Sequence, residues 1–229
     1  MLNEIILVIF YFAIFLYSVI IHEVSHGLGA LYLGDSTAKY AGRLNLNPLK
    51  HIDIWGSIVV PVLMFFALGF AFGWAKPVPY NPYNLKNQKW GPALVALSGP
   101  LSNIILALLA AIIGKLISIP GNVKETIIGN FSNYETIASV IHGSFGAIMF
   151  ELMVVIIFWN VLLAFFNLIP IPPLDGSKLL FAIMPIKPET LAILEQFGFV
   201  ILLFVVMFFS APLGIFLNFM LNLFLGLAV

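Results

Sequence analysis

The sequence contains no cysteine and little charge. Without cysteine there are no disulfides and no thiolate metal sites, so a metal bound here takes histidine and carboxylate ligands. Charged residues make up 9% of the 229 positions and hydrophobic residues 62%. A soluble domain carries about 25% charged residues, so composition alone makes this a membrane protein. Formal net charge is zero, which argues against a nucleic-acid partner. No polar stretch is long enough for a second domain, and residues 1–229 read as one membrane-embedded unit. The opening Met-Leu-Asn-Glu lacks the basic n-region of a signal peptide, so the first segment is read as retained.

What the sequence has is apolar runs, at about 4–33, 56–75, 92–119, 138–169 and 190–228. A membrane span needs about 20 residues, so the fold class is an all-α polytopic membrane protein with five to six hydrophobic segments. The last run is broken by "SAPLG" at 210–214, which reads as a hairpin of two short spans or one kinked helix. Turn-rich connections separate the runs. In the first of them Tyr40, Arg43, Leu44 and Leu46 sit among polar neighbours, which predicts a short extended element near 38–47.

One apolar run is interrupted by chemistry. "VIIHEVSHGL" at 19–28 places His22, Glu23 and His26 inside what is otherwise a membrane helix. Histidines four apart lie on one helical face, so two imidazoles can grip one metal ion. A glutamate between them is placed to take a proton from water, which zinc acidifies towards a pKa of about 7. The alternative is a set of interior polar groups satisfied by neighbouring helices. Ionisable groups cost about 2.5 kcal/mol or more at mid-membrane, which favours the metal.

A third ligand is needed. The soluble pattern H-E-x-x-H-x-x-G-x-x-H accommodates Gly29 but fails at Tyr32. His51 and His142 read as ordinary surface or headgroup histidines. Two carboxylates remain: Glu151 within the fourth apolar run, and Asp175 in "NLIPIPPLDGSK". Pro170, Pro172 and Pro173 hold the chain extended before Asp175, and Gly176 permits a sharp turn after it. Irregular backbone at membrane depth is tolerated where it is buried in protein or lines a wet cavity.

With "HEVSH" at 22–26, "SGPLSN" at 98–103 and "NLIPIPPLDG" at 167–176, the chain resembles the site-2 protease family of intramembrane zinc metalloproteases. The resemblance implies one zinc per chain, held by His22, His26 and Asp175, with Glu23 as general base. It further implies that Asn167 helps hold the substrate or its oxyanion. An amide there can equally cap the broken helix or bond across helices. The implied activity is endoproteolysis in or beside transmembrane segments of membrane-protein substrates within the bilayer, as in regulated proteolysis. No segment is long enough for an appended PDZ-like or nucleotide-sensing domain. The chain reads as a minimal form, with a catalytic core at about 1–185 and C-terminal helices at about 190–228.

Topology follows from bringing Asp175 to the histidines. If the first helix runs from side A to side B, its histidines lie nearer B. A crossing 56–75 segment would deliver Asp175 to side A. A re-entrant one, made plausible by Pro61, Gly69, Gly73 and Pro77, delivers it to B, and an extended return of 168–175 into the membrane is the other route. Charge agrees. With 56–75 re-entrant, side B holds Lys39, Arg43, Lys50, Lys76, Lys86, Lys89, Lys178 and Lys187, and side A only Lys115 and Lys124. Side B is then cytoplasmic, in the cell membrane, with the active site nearer that face. Rival readings are a metal-ion transporter, a non-catalytic scaffold, and a serine hydrolase using Ser144 beside His142. The last lacks a G-x-S-x-G elbow.

Overall fold

The structure is a computed structural model and describes residues 2–68, 75–184, 186 and 188–229. Four of its helices are long and apolar enough to cross a membrane. They are α1 (Leu2–Tyr32), α4 (Gly91–Leu116), α7 (Phe145–Asn167) and α9 (Pro188–Phe208). Between them lie α2 (Thr37–Tyr40), α3 (Val60–Leu68), α5 (Gly121–Asn130), α6 (Tyr134–Ile141) and α8 (Gly176–Ile183), and α10 (Ser210–Gly226) closes the chain. This is an all-α integral membrane protein, with no strand among the described residues.

The bundle is organised around α4. Its buried face runs Ala96, Gly99, Asn103, Ala107, Ala110, Ala111 and Gly114, small residues at helical spacing apart from one asparagine. Small side chains let neighbouring backbones approach closely, which drives helix association where lipid removes the usual hydrophobic gain. On one side α4 receives α1. On the other it receives α7, whose buried face includes Phe150, Val154, Ile157 and Val161. The outward faces carry exposed Ile5, Ile9 and Phe12 on α1 and Phe204 and Met207 on α9. Such surface suits lipid and would be a liability in water.

Side-chain bonds fix the helix directions. His22 pairs with Asn103 and His26 with Val95, so α1 and α4 are antiparallel. Tyr11 pairs with Glu151 and Ser18 with Asn160, so α1 and α7 are parallel. Because α4 starts at the end of the bundle where α1 finishes, residues 33–90 make no net crossing. The described part of this region forms a π-helical stretch over Ile54–Val59 and then α3. Its two ends meet, since the Lys76 N–H donates to the His51 carbonyl at 2.9 Å. The segment therefore leaves and returns at one end of the bundle, as delivery of Asp175 requires. Gly69 and Gly73, and Lys187 of the charge argument, lie outside the described residues.

Two expectations change. The extended element near 38–47 is a helical turn over Thr37–Tyr40 followed by loops. Ala38 is buried, Gly42 ends the turn at φ 64°, and the Asn45 side chain binds both Gly42 O and Asn47 N. Side chains thus occupy backbone groups a strand would need. His51 is not a surface residue. It is 2% exposed, with Nε2 bonded to Asn45 O at 2.8 Å, and it stabilises this loop. The broken last run forms two helices, with Pro212 in the first turn of α10, where its missing N–H costs nothing. Ser144 caps α7 through Ala147 N, as a helix-start residue.

Candidate metal centre

Helical periodicity sets His22 and His26 side by side, with ring centroids 4.7 Å apart and ring planes nearly perpendicular. Each ring is held from behind. His22 Nδ1 lies 2.5 Å from Asn103 Oδ1, and His26 Nδ1 lies 2.9 Å from the Val95 carbonyl. Both partners are oxygen acceptors, so each Nδ1 carries its proton and each Nε2 presents a bare lone pair.

Asp175 comes from the other end of the sequence. After α7 the chain turns back through Ile169–Leu174, with a cis Pro172–Pro173 bond, and Asp175 opens α8. The return is tight. A Cβ at Gly176 would lie 2.6 Å from Ile169 O, and one at Gly198 of α9 would lie 2.7 Å from Pro172 Cβ. These close approaches explain the glycines. Asp175 Oδ2 ends 3.1 Å from His22 Nε2 and 3.3 Å from His26 Nε2.

Three potential electron-pair donors aimed at one another are held together by a proton on an imidazole or by a metal cation among them. Their ligand atoms all fall within 4.8 Å of one another, and His22, His26 and Asp175 form the only such group among the described residues. Gly99 of α4 leaves the room needed. A Cβ there would sit 2.5 Å from His26 Nε2 and 2.7 Å from His22 Nε2. Two imidazoles and one carboxylate fit a tetrahedral zinc with a fourth position left open. Of the two candidate acids, geometry brings in Asp175. Glu151 lies nine residues before Asn160 on α7, about 13 Å along the helix, and bonds to Tyr11 instead.

Glu23 shares the turn of α1 that carries both histidines. Its Oε2 accepts the Val78 N–H at 3.1 Å. Pro77 and Pro79 have no N–H, so Val78 is the one donor in that tripeptide, and the returning end of the 54–75 excursion touches Glu23 through it. Nothing in the sequence pattern pointed to this contact. Tyr80 follows nearby. Burial, then the carboxylates of Glu195 and Asp175, push its phenol pKa up. Asn167 ends α7, where its amide donates to Leu163 O at 2.9 Å, so it bonds within its own helix.

The model of peptidase family M50 matches residues 10–205. The chain belongs to peptidase family M50, the site-2 protease family. It is 34% identical over 198 residues to the candidate zinc metalloprotease YwhC of Bacillus subtilis (strain 168), covering 84% of this chain and 76% of that protein. It is also similar to two proteins named as candidate zinc metalloproteases Rip2. For that of Mycolicibacterium smegmatis identity is 28%, over 81% of this chain and 62% of the relative. For that of Mycobacterium tuberculosis it is 27%, over 86% and 65%. The chain thus spans less than two thirds of either Rip2 protein. No solved structure matches.

Proposed function

We propose that the chain is a zinc endopeptidase of the membrane interior, a single catalytic unit that cuts peptide bonds in or next to transmembrane segments of other membrane proteins. Such cleavage would serve regulated proteolysis. The observation that carries this reading is the convergence of Asp175 on His22 and His26, which lie on a helix long and apolar enough to span a bilayer. A hydrolytic centre at that depth meets substrates that lie in the membrane.

His22 and His26 through Nε2, and Asp175 through a carboxylate oxygen, would hold one zinc ion. When bound, zinc polarises the scissile carbonyl and makes water acidic enough to ionise near neutral pH. Glu23 takes the proton of the attacking water and delivers it to the leaving nitrogen, which needs a carboxylate within hydrogen-bond reach of both. The Val78 amide holds that carboxylate in one orientation. Asn167 is the candidate for the carbonyl oxygen of the substrate, through the Nδ2 proton that Leu163 O does not take. The excess of basic residues at the end where α1 finishes orients that end to the cytoplasm.

Glu23→Gln tests the reading, because the amide keeps the size and cannot accept the proton. Cleavage of a transmembrane peptide should fall by roughly 10² to 10⁴-fold with zinc content unchanged. Near-normal cleavage in that variant, or a parent enzyme indifferent to phenanthroline, would refute it.

A further inference from the structure

Among the buried polar side chains that the hydrolysis above does not use are Ser18 at 3%, Asn103 at 0% and Asn160 at 1% exposure. They come from α1, α4 and α7, and they touch one another and His22. We infer that they form a directed hydrogen-bond relay that fixes the tautomer and orientation of His22, making Asn103 a positioning residue for the metal ligand. The inference rests on the zinc reading above and deepens it.

The direction of the relay follows from main-chain carbonyls, which can only accept. The Ser18 hydroxyl donates to Ile14 O at 2.8 Å, leaving Ser18 Oγ as an acceptor. Asn160 therefore turns its Nδ2 towards Ser18 Oγ, at 2.9 Å, and the same nitrogen donates to Ile156 O at 2.8 Å. Both bonds demand the amide nitrogen on that side, so Asn160 Oδ1 faces α4. Asn103 meets it with Nδ2 at 2.7 Å and also donates to Ser18 O at 3.3 Å. Asn103 Oδ1 is then left for His22 Nδ1, at 2.5 Å.

No amide in this chain can be flipped without placing two acceptors, or two donors, face to face. The set is nearly sealed from water, so solvent cannot repair a reversed amide. The outcome is imposed on His22: a proton on Nδ1 and a free lone pair on Nε2, aimed where Asp175 and His26 converge. His26 needs no such device because a backbone carbonyl, Val95 O, does the same directly. The relay also explains why the small-residue face of α4 is interrupted by an asparagine where its neighbours are alanine and glycine. An outer partner of this kind typically contributes about 10 to 100-fold in metal affinity.

The test is Zn²⁺ affinity of the full-length chain in detergent, measured against a competing chelator, together with the visible spectrum of the Co²⁺-loaded protein. Asn103→Leu keeps the volume and removes the acceptor. It should weaken zinc binding by about 10 to 100-fold and shift the cobalt bands. Asn160→Leu, which never touches His22, should weaken binding by less than Asn103→Leu. Wild-type affinity in Asn103→Leu, or a larger loss in Asn160→Leu, would overturn the inference. If Asn103→Leu does not fold, Asn160→Leu decides alone, and unchanged affinity and cobalt spectrum there overturn it. A wild-type chain that takes up no zinc would instead sink the zinc reading itself, so the two failures are distinct.

Discussion

Two acids inside this bundle have opposite company. Glu151 lies in the first third of α7, 1% exposed, with Tyr11 on one oxygen and no hydrogen-bond partner on the other. Its neighbours along α7, Phe150, Val154 and Val155, belong to the hydrophobic core. Asp175 lies on a broken stretch of chain, partly open, with two imidazole nitrogens within 3.3 Å. Burial alone does not make a site. What separates the acids is convergence: Asp175 meets lone pairs oriented from behind by other helices, whereas Glu151 meets a single phenol in a hydrocarbon wall.

Three experiments would break or sharpen that contrast. The largest effect is expected from Asp175→Ala, which should lose zinc on gel filtration and cut cleavage by more than about 10²-fold. Glu151→Gln, in parallel, should keep both zinc and activity. If zinc survives Asp175→Ala and is lost in Glu151→Gln, the two acids have been assigned the wrong way round. An intermediate effect is expected from Val78→Pro, which removes the one amide that Glu23 accepts while keeping the extended backbone. Hydrogen bonds to charged groups contribute about 1.5–3 kcal/mol, so kcat/KM should drop roughly 10 to 100-fold with zinc retained. An unchanged kcat/KM would show that Glu23 aims itself.

The smallest effect concerns a third acid, Asp35, at the end of α1. It accepts from Thr37 N and Oγ1, Asn81 N and Asn84 Nδ2. Burial alone would raise its pKa, but these donors, Thr37 foremost, hold it below the ordinary 3.8. A lowered folded pKa means stability that is present above the unfolded value and lost as pH falls through the folded one. The gap in thermal stability between wild type and Asp35→Asn should therefore be full at neutral pH and close on acidification below about pH 4. A gap independent of pH would show that the contribution of Asp35 does not depend on its charge.

His22, Glu23 and His26 were legible in the sequence because a helical period and an apolar background make ionisable groups conspicuous. Asp175 stood out through its prolines, but its rivalry with Glu151 needed three dimensions. The antiparallel run of α1 and α4 was legible too, through the bookkeeping of which end must receive Asp175. The relay was not. Ser18, Asn103 and Asn160 are uncharged, far apart in sequence and individually unremarkable, and only helix packing makes them neighbours. The strand expected near 38–47 failed for a related reason. Alternation there reflects asparagine side chains bonding to backbone and a buried Ala38, neither of which hydropathy registers.

The clasp between His51 and Lys76 has an implication for how such proteins diversify. A loop whose stem is fixed by a backbone bond, with Arg43 donating to the Lys76 carbonyl at 2.7 Å beside it, can change length and character beyond the stem without shifting what the stem holds. The stem here ends two residues before the amide that orients Glu23. Changes in the intervening segment should therefore leave the placement of Glu23 intact as long as the stem holds. The invariant requirement is local: the chain must re-enter at Lys76 in register, so that Pro-Val-Pro presents its one amide to the glutamate.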